Sequence, residues 1–398
     1  MTSRFLPWAL SVVLSITLAG CGTLERPYAS SRSTPLEVAY HEEVRTRSSD
    51  PETMASFSAE MTALLQAERP LTVLALSGGG ANGAYGAGVL VGWSRRGDRP
   101  TFDVVTGVST GALAAPFAFL GPDWDDELSD AYTSGKTSGL VGLDNLAALF
   151  QPSLFSAAPL RRLVDTNVTP ELLQAIATEH AKGRRLLVAT TNLDQEETVI
   201  WDMGQLATQG DEPSHNLFKE ILVASASIPG VFPPVLIAAR ERGQAVHQMH
   251  VDGGVNLPFI AIPEDLLLWT RSGGGGVGGD IYVLVNGKMG RREGVTAGDV
   301  GGILARTYDS SSKSSLRQTL MLTATFAERN GLGMAVTSIP DEAPASSLNF
   351  DRDSMIGIFN LGRERAERGE AWNATVDHRR RPEPVDVGTL DGGSWPAL

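Results

Sequence analysis

Residues 102–115 read FDVVTGVSTGALAA, and a strand pattern, a turn and a helix pattern meet within them. Phe102–Thr106 is a short apolar run rich in β-branched residues, as strands are. Gly111–Leu120 continues as an alanine-rich helical stretch. Between them lies Gly107-Val108-Ser109-Thr110-Gly111, a G-x-S-x-G pentapeptide. Set between a strand and a helix, that pattern makes a nucleophile elbow, whose flanking glycines permit a turn sharp enough to expose the serine hydroxyl. Ser109 is therefore a candidate nucleophile.

The preceding strand supplies the next part. Leu71–Leu76 is apolar, Ser77-Gly78-Gly79-Gly80-Ala81-Asn82-Gly83 follows as a turn, and Gly83–Arg95 has a helical pattern. Successive backbone N–H groups at the start of a helix form an anion-binding nest, and glycine lets an anion come close. A tight turn alone does not call for three consecutive glycines. Gly78-x-Gly80-x-x-Gly83 also fits a dinucleotide fingerprint, which requires an acidic residue at the end of the next strand. Asp103 has the distance but stands at that strand's start, which disfavours a nicotinamide cofactor. Beside an elbow serine, the nest reads better as an oxyanion hole.

Farther along, strand candidates at Arg185–Thr191, Thr198–Trp201, Met249–Val251 and Ile281–Val285 alternate with helix candidates at Pro159–Asn167, Pro170–Lys182 and Phe218–Ala226. Alternation of this kind predicts an α/β fold, a mostly parallel central sheet with helices on both faces, and sites at the strands' carboxyl ends. Asp252-Gly253-Gly254 occupies such an end. A conventional hydrolase triad would place an acid and then a histidine after the serine. None of the six histidines (His41, His180, His215, His247, His250, His378) has a comparable setting, and Asp252 is the better candidate base.

These segments together resemble the patatin-like phospholipases, over about residues 71–363. The resemblance rests on the Gly-rich block Ser77–Gly83, the elbow Gly107–Gly111 and the Asp252-Gly253-Gly254 turn. It is supported by Ser153-Leu154-Phe155 ahead of Pro159–Leu163, and by Ala224–Pro234 (ASASIPGVFPP). It implies a three-layer patatin-like fold and a lipid acyl hydrolase working through a Ser–Asp dyad. Carried over by position, Ser109 is nucleophile, Asp252 is base, and amides of the Gly78-Gly79-Gly80 run, chiefly Gly79 and Gly80, hold the oxyanion. No cofactor or metal is implied, and the substrate is a membrane lipid or other fatty acyl ester. Relatives often carry a cation where this chain has Asn82, so preference for an anionic head group is expected to be weaker. Leu113, Phe117, Phe119, Phe155, Ile228 and Phe232 are candidates for an acyl pocket. The acidic run Asp123–Glu127 lacks the glycine and terminal glutamate of a calcium loop and reads as a solvated helix start.

The chain's beginning suggests its compartment. Phe5–Ala19 is apolar, follows Arg4, and is too short to span a bilayer, as in a secretory signal. It ends Leu18-Ala19-Gly20-Cys21, which resembles a bacterial lipoprotein signal, implying acylation of Cys21. Gly22 in place of an aspartate favours the outer membrane, with the periplasmic face of the cell envelope as the expected location. Cys21 is the chain's single cysteine, so no internal disulfide framework exists. The formal net charge is −13, and no basic block appears, which disfavours nucleic acid as a partner. The expected organisation is a signal at 1–20, a tether and short helix at 21–70, an acyl hydrolase domain at 71–378 and a flexible tail at 379–398. Ser272–Gly279 is expected to be a flexible loop. A membrane-tethered lipoprotein scaffold without catalysis is the alternative from a different class.

Overall fold

Asp50-Pro51-Glu52 starts a helix as its residue types dictate: the Asp50 carboxylate accepts the Glu52 N–H, and Pro51 takes the first turn. This computed structural model describes residues 41–135, 153, 155–241, 244–267, 278–290, 294–296, 298 and 300–376. The expected signal, Cys21, Leu154, nearly all of the 272–279 loop, His378 and the tail lie outside them.

In chain order the elements begin with β1 (Arg45–Arg47), α1 (Pro51–Gln66), β2 (Leu71–Leu76), α2 (Gly83–Arg96), β3 (Val104–Val108) and α3 (Thr110–Leu120). Next come α4 (Asp125–Thr133), α5 (Ala158–Asn167), α6 (Pro170–Ala181), β4 (Arg185–Asn192), β5 (Glu197–Asp202), α7 (Met203–Thr208) and α8 (Glu212–Ser225). The remainder are β6 (Val235–Glu241), β7 (Gln244–Asp252), β8 (Gly279–Val285), α9 (Val300–Asn330), β9 (Gly333–Ser338), α10 (Arg352–Glu367) and β10 (Asn373–Val376). Among the described residues no helix is long and apolar enough to cross a membrane.

The sheet runs β1-β5-β4-β3-β2-β8-β9-β10. Its centre, β4-β3-β2-β8-β9, is parallel, and β5, β1 and β10 are antiparallel additions at the edges. Alternate residues of each central strand feed two cores. Leu74 and Leu76 of β2 face α2 and α3, while Val73 and Ala75 pack with Phe57 and Met61 of α1 and Phe326 of α9. This is the expected three-layer α/β arrangement with helices on both faces.

Several boundaries depart from expectation for local physical reasons. Phe102 and Asp103 precede β3: the Asp103 carboxylate accepts the Thr72 N–H at 2.8 Å and pairs with Arg69, so it braces the strand's start. That role replaces the ribose contact a dinucleotide site would need. The helix expected at Phe218–Ala226 begins at Glu212, where Asp211 caps the Ser214 N–H. The expected tether contains β1, which pairs with β5, and His41 is buried against the Ser214 hydroxyl at 3.1 Å. Asp125 in the acidic run is not simply solvated, since it meets the buried Arg99 guanidinium at 2.9 Å.

Candidate functional site

The register of β4 explains how Ser109 and Asp252 meet. β3 runs along β4 as far as Val108, which pairs with Ala189. The next residue of β4, Thr190, pairs instead with Asp252 of antiparallel β7. β7 therefore enters the edge of β4 at the point where β3 leaves it, and the residue after β3 is Ser109. The Ser109 hydroxyl lies near enough to the Asp252 carboxyl to pull its pKa down. The side chains are 4 % and 2 % exposed, so the pair is almost dry.

Ser109 adopts φ 58° and ψ −128°, a conformation that costs a non-glycine residue about 1–3 kcal/mol. Packing around the turn holds it there. A Cβ at Gly107 would lie 2.6 Å from the Ala112 Cα, and one at Gly111 would lie 2.4 Å from the Leu76 carbonyl oxygen. The Ser109 N–H donates to the Ser225 hydroxyl at 3.1 Å, and that hydroxyl donates to the Ala189 carbonyl at 2.7 Å. Two residues on, the Ser227 carbonyl accepts the Asp252 N–H at 3.0 Å. The end of α8 thus braces both members of the pair. Ser225 was not singled out from sequence, although it lies in the ASASIPGVFPP stretch.

Asp252 leads into the turn at Gly253-Gly254-Val255, and its Oδ1 accepts the Gly254 N–H at 2.7 Å. A Cβ at Gly253 would lie 2.5 Å from the Ala189 carbonyl oxygen. Burial pushes the Asp252 carboxyl up to about 7, against the opposing pull of the Ser109 hydroxyl and the Gly254 N–H. A carboxyl at that position takes a proton more readily than an ordinary aspartate, as a base acting on an alcohol must. Two residues before it, the His250 ring is fully buried against the Thr190 hydroxyl at 2.9 Å, and burial holds it neutral, down to about 3.

The Gly-rich loop lies against Ser109, with a Cβ at Gly78 only 3.1 Å from the Ser109 Cβ. The Gly78 N–H donates to the Pro258 carbonyl at 3.3 Å, so this amide is occupied. Among the described residues the Gly79 and Gly80 N–H groups have no protein acceptor. The glycines are needed for packing as well as for anion approach, contrary to the sequence expectation for a turn. A Cβ at Gly79 would stand 1.9 Å from the Asn286 carbonyl oxygen, and one at Gly80, where φ is +56°, 2.1 Å from that of Ser347. Asn286, just beyond β8, fixes the loop through its side chain. Its Nδ2 donates to the Ser77 carbonyl at 2.8 Å, and its Oδ1 accepts the Gly86 N–H at 3.1 Å in the first turn of α2. Asn82 is 8 % exposed in the turn that leads into α2. The remaining glycines of α2 serve helix contact: Cβ atoms at Gly88 and Gly92 would lie 2.0 Å from the Phe359 and 2.2 Å from the Arg363 carbonyl oxygens of α10. Gly83 packs against Thr110, with a Cβ only 2.0 Å from its Oγ1.

A small apolar cavity of about 50 Å³ has Gly80, Thr110, Leu113, Phe117, Leu163 and Leu222 in its wall. Leu113 and Phe117 were expected in an acyl pocket. Phe119 is instead fully buried in the core, Phe155 and Phe232 pack on each other with ring centres 6.5 Å apart, and Ile228 does not line the cavity.

Residues 74–262 match the family model described as Patatin-like phospholipase. The chain carries a patatin-like phospholipase domain. It is thus a lipid acyl hydrolase in general character. Within the patatin-like domain lie the elbow serine, the Gly-rich loop and Asp252. Among solved structures, the crystal structure of VipD from Legionella pneumophila is similar at 13 % identity and a TM-score of 0.35, over 77 % of this chain and 68 % of that one. No curated protein matches the sequence.

Proposed function

We propose that the protein hydrolyses carboxylic esters of lipids through an acyl-serine intermediate, with Ser109 as nucleophile and Asp252 as the single base. The observation that carries this is the buried pairing of Ser109 with Asp252, set side by side by β4, next to the Gly79 and Gly80 N–H groups, which have no acceptor among the described residues.

Ionised Asp252 takes the Ser109 proton as the oxygen attacks the ester carbonyl carbon. The carbonyl π electrons move onto oxygen, and the Gly79 and Gly80 N–H groups hold the oxyanion. Collapse breaks the bond to the alcohol, which leaves with the proton from Asp252. A water then attacks the acyl-enzyme and gives a proton to Asp252. The second tetrahedral intermediate collapses, releases the carboxylic acid, and Ser109 regains its proton. Asn82 puts no fixed positive charge beside this site, so an anionic head group is not required.

The test is hydrolysis of soluble acyl esters by Ser109→Ala, Asp252→Asn and the double variant. Each single substitution removes turnover, and the double variant is no worse than either, because the two groups act as a unit. Each histidine replaced singly leaves substantial activity, and a serine-directed phosphonate labels Ser109 alone. A histidine variant as inactive as Asp252→Asn would refute the dyad. Membrane attachment through an acylated Cys21 is proposed on the Leu18–Cys21 motif.

A further inference from the structure

We infer that the cavity behind the Gly-rich loop seats the acyl chain and selects short chains, about four to six carbons long. This rests on the assignment of Ser109 as nucleophile. The cavity wall includes Gly80, an oxyanion donor in that assignment, and Thr110, the residue after the nucleophile. A carbonyl carbon bonded to Ser109, with its oxygen toward Gly79 and Gly80, therefore has the cavity as its apolar neighbour.

Apart from the Gly80 N–H, the polar groups named in the wall are already satisfied. The Tyr132 phenol donates to the Thr110 carbonyl at 2.8 Å and lies 3.0 Å from the Thr110 hydroxyl, and the Asn167 Nδ2 donates to the Leu163 carbonyl at 2.7 Å. Water gains little in such a space, whereas methylenes gain burial. Size sets the limit. A volume of about 50 Å³ corresponds to roughly four water-sized groups at about 10–15 Å³ each. A methylene is close to a water in size, so about four carbons fill the cavity. Longer chains must displace Leu163, 9 % exposed, or Leu222, which is 2 % exposed and packed into the core.

The experiment is a series of p-nitrophenyl esters from acetyl to palmitoyl, measured below their aggregation concentrations, so that only the acyl length varies. Wild-type kcat/KM peaks at about four to six carbons and falls at least roughly tenfold by ten carbons, since even single methylenes in an apolar pocket discriminate by about tenfold or more. Leu222→Ala moves the optimum about two carbons longer, and Leu163→Phe moves it shorter. Circular dichroism checks that each variant folds, and Leu222→Val replaces Leu222→Ala should the latter not. As a second measure, intact mass follows labelling of Ser109 by butyl and decyl phosphonates, the butyl reagent reacting faster. A wild-type optimum at ten carbons or more, or a profile that neither Leu222 nor Leu163 substitution shifts, overturns the cavity assignment and leaves the dyad standing. Hydrolysis that survives Ser109→Ala overturns the dyad, and the proposal with it.

Discussion

Asp252→Asn should abolish turnover and at the same time stabilise the protein, increasingly so as pH rises. The Asp252 carboxyl, ordinarily near 3.8, is pushed up to about 7 by burial in the native state. Between those values the folded protein keeps a proton that the unfolded chain has released, so native stability falls as pH rises from about 4 to about 7 and levels off above. The gap is about three pKa units, and at 1.36 kcal/mol per unit the ionised carboxylate costs about 4 kcal/mol at pH 8. Asparagine stays neutral throughout. Its Oδ1 can still accept the Gly254 N–H, and its Nδ2 can donate to the Ser109 oxygen. The variant should therefore exceed wild type by only about 1 kcal/mol at pH 4.5 and by up to about 4 kcal/mol at pH 8. His250 contributes an opposite slope: held neutral down to about 3, it makes stability fall as pH drops below its ordinary 6.5. That term is common to both proteins and cancels in their difference. Urea unfolding of the two proteins at pH 4.5, 6 and 8 measures it. A difference that stays constant with pH, or a variant less stable than wild type at pH 8, would refute the claim that Asp252 is held as a costly buried base.

The same shift predicts that kcat/KM on a non-ionising ester rises with pH through an apparent value of about 7, because only ionised Asp252 accepts the Ser109 proton. A pH–rate profile flat between 5 and 9 would contradict it. Ser225→Ala strands the Ser109 N–H and loosens the elbow; it should destabilise the protein by about 1–3 kcal/mol and lower kcat with little change in KM, while Ser225→Thr restores part of the loss. Steady-state kinetics with a parallel unfolding curve separates the two effects. Cys21→Ser should release the protein from membranes or leave an unprocessed precursor, and intact mass of the membrane fraction checks it.

The sequence makes the two strand ends plain, because Leu71–Leu76 and the run before Gly107 are apolar, short and followed by glycine turns. Ser109 was legible through its elbow, and Asp252 through its place ahead of two glycines. Their meeting was not, because it depends on β7 taking over the edge of β4 beyond Val108, a pairing that no local pattern encodes. The partners that shape the Gly-rich loop, Asn286 and Ser347, come from distant parts of the chain and carry no motif. α9 escapes a periodicity search because its Ser- and Thr-rich sequence, SSSKSSLRQTLMLTAT, has a weak apolar stripe. β1 reads as tether because Arg-Thr-Arg is polar, yet Arg45 is buried over the Trp201 ring at 4.6 Å.

The reliance of the Gly-rich loop on Asn286, Ser347 and α10 sets an order of events during synthesis. A ribosome has delivered Ser109 and Asp252 well before it reaches Ser347, whose carbonyl accepts the Ala81 N–H at 2.9 Å, and before α10, against which Gly88 and Gly92 pack. A partly made chain can therefore bring Ser109 and Asp252 together while the Gly79 and Gly80 N–H groups are still unset. The Gly-rich loop is set last, by the final third of the chain's own sequence.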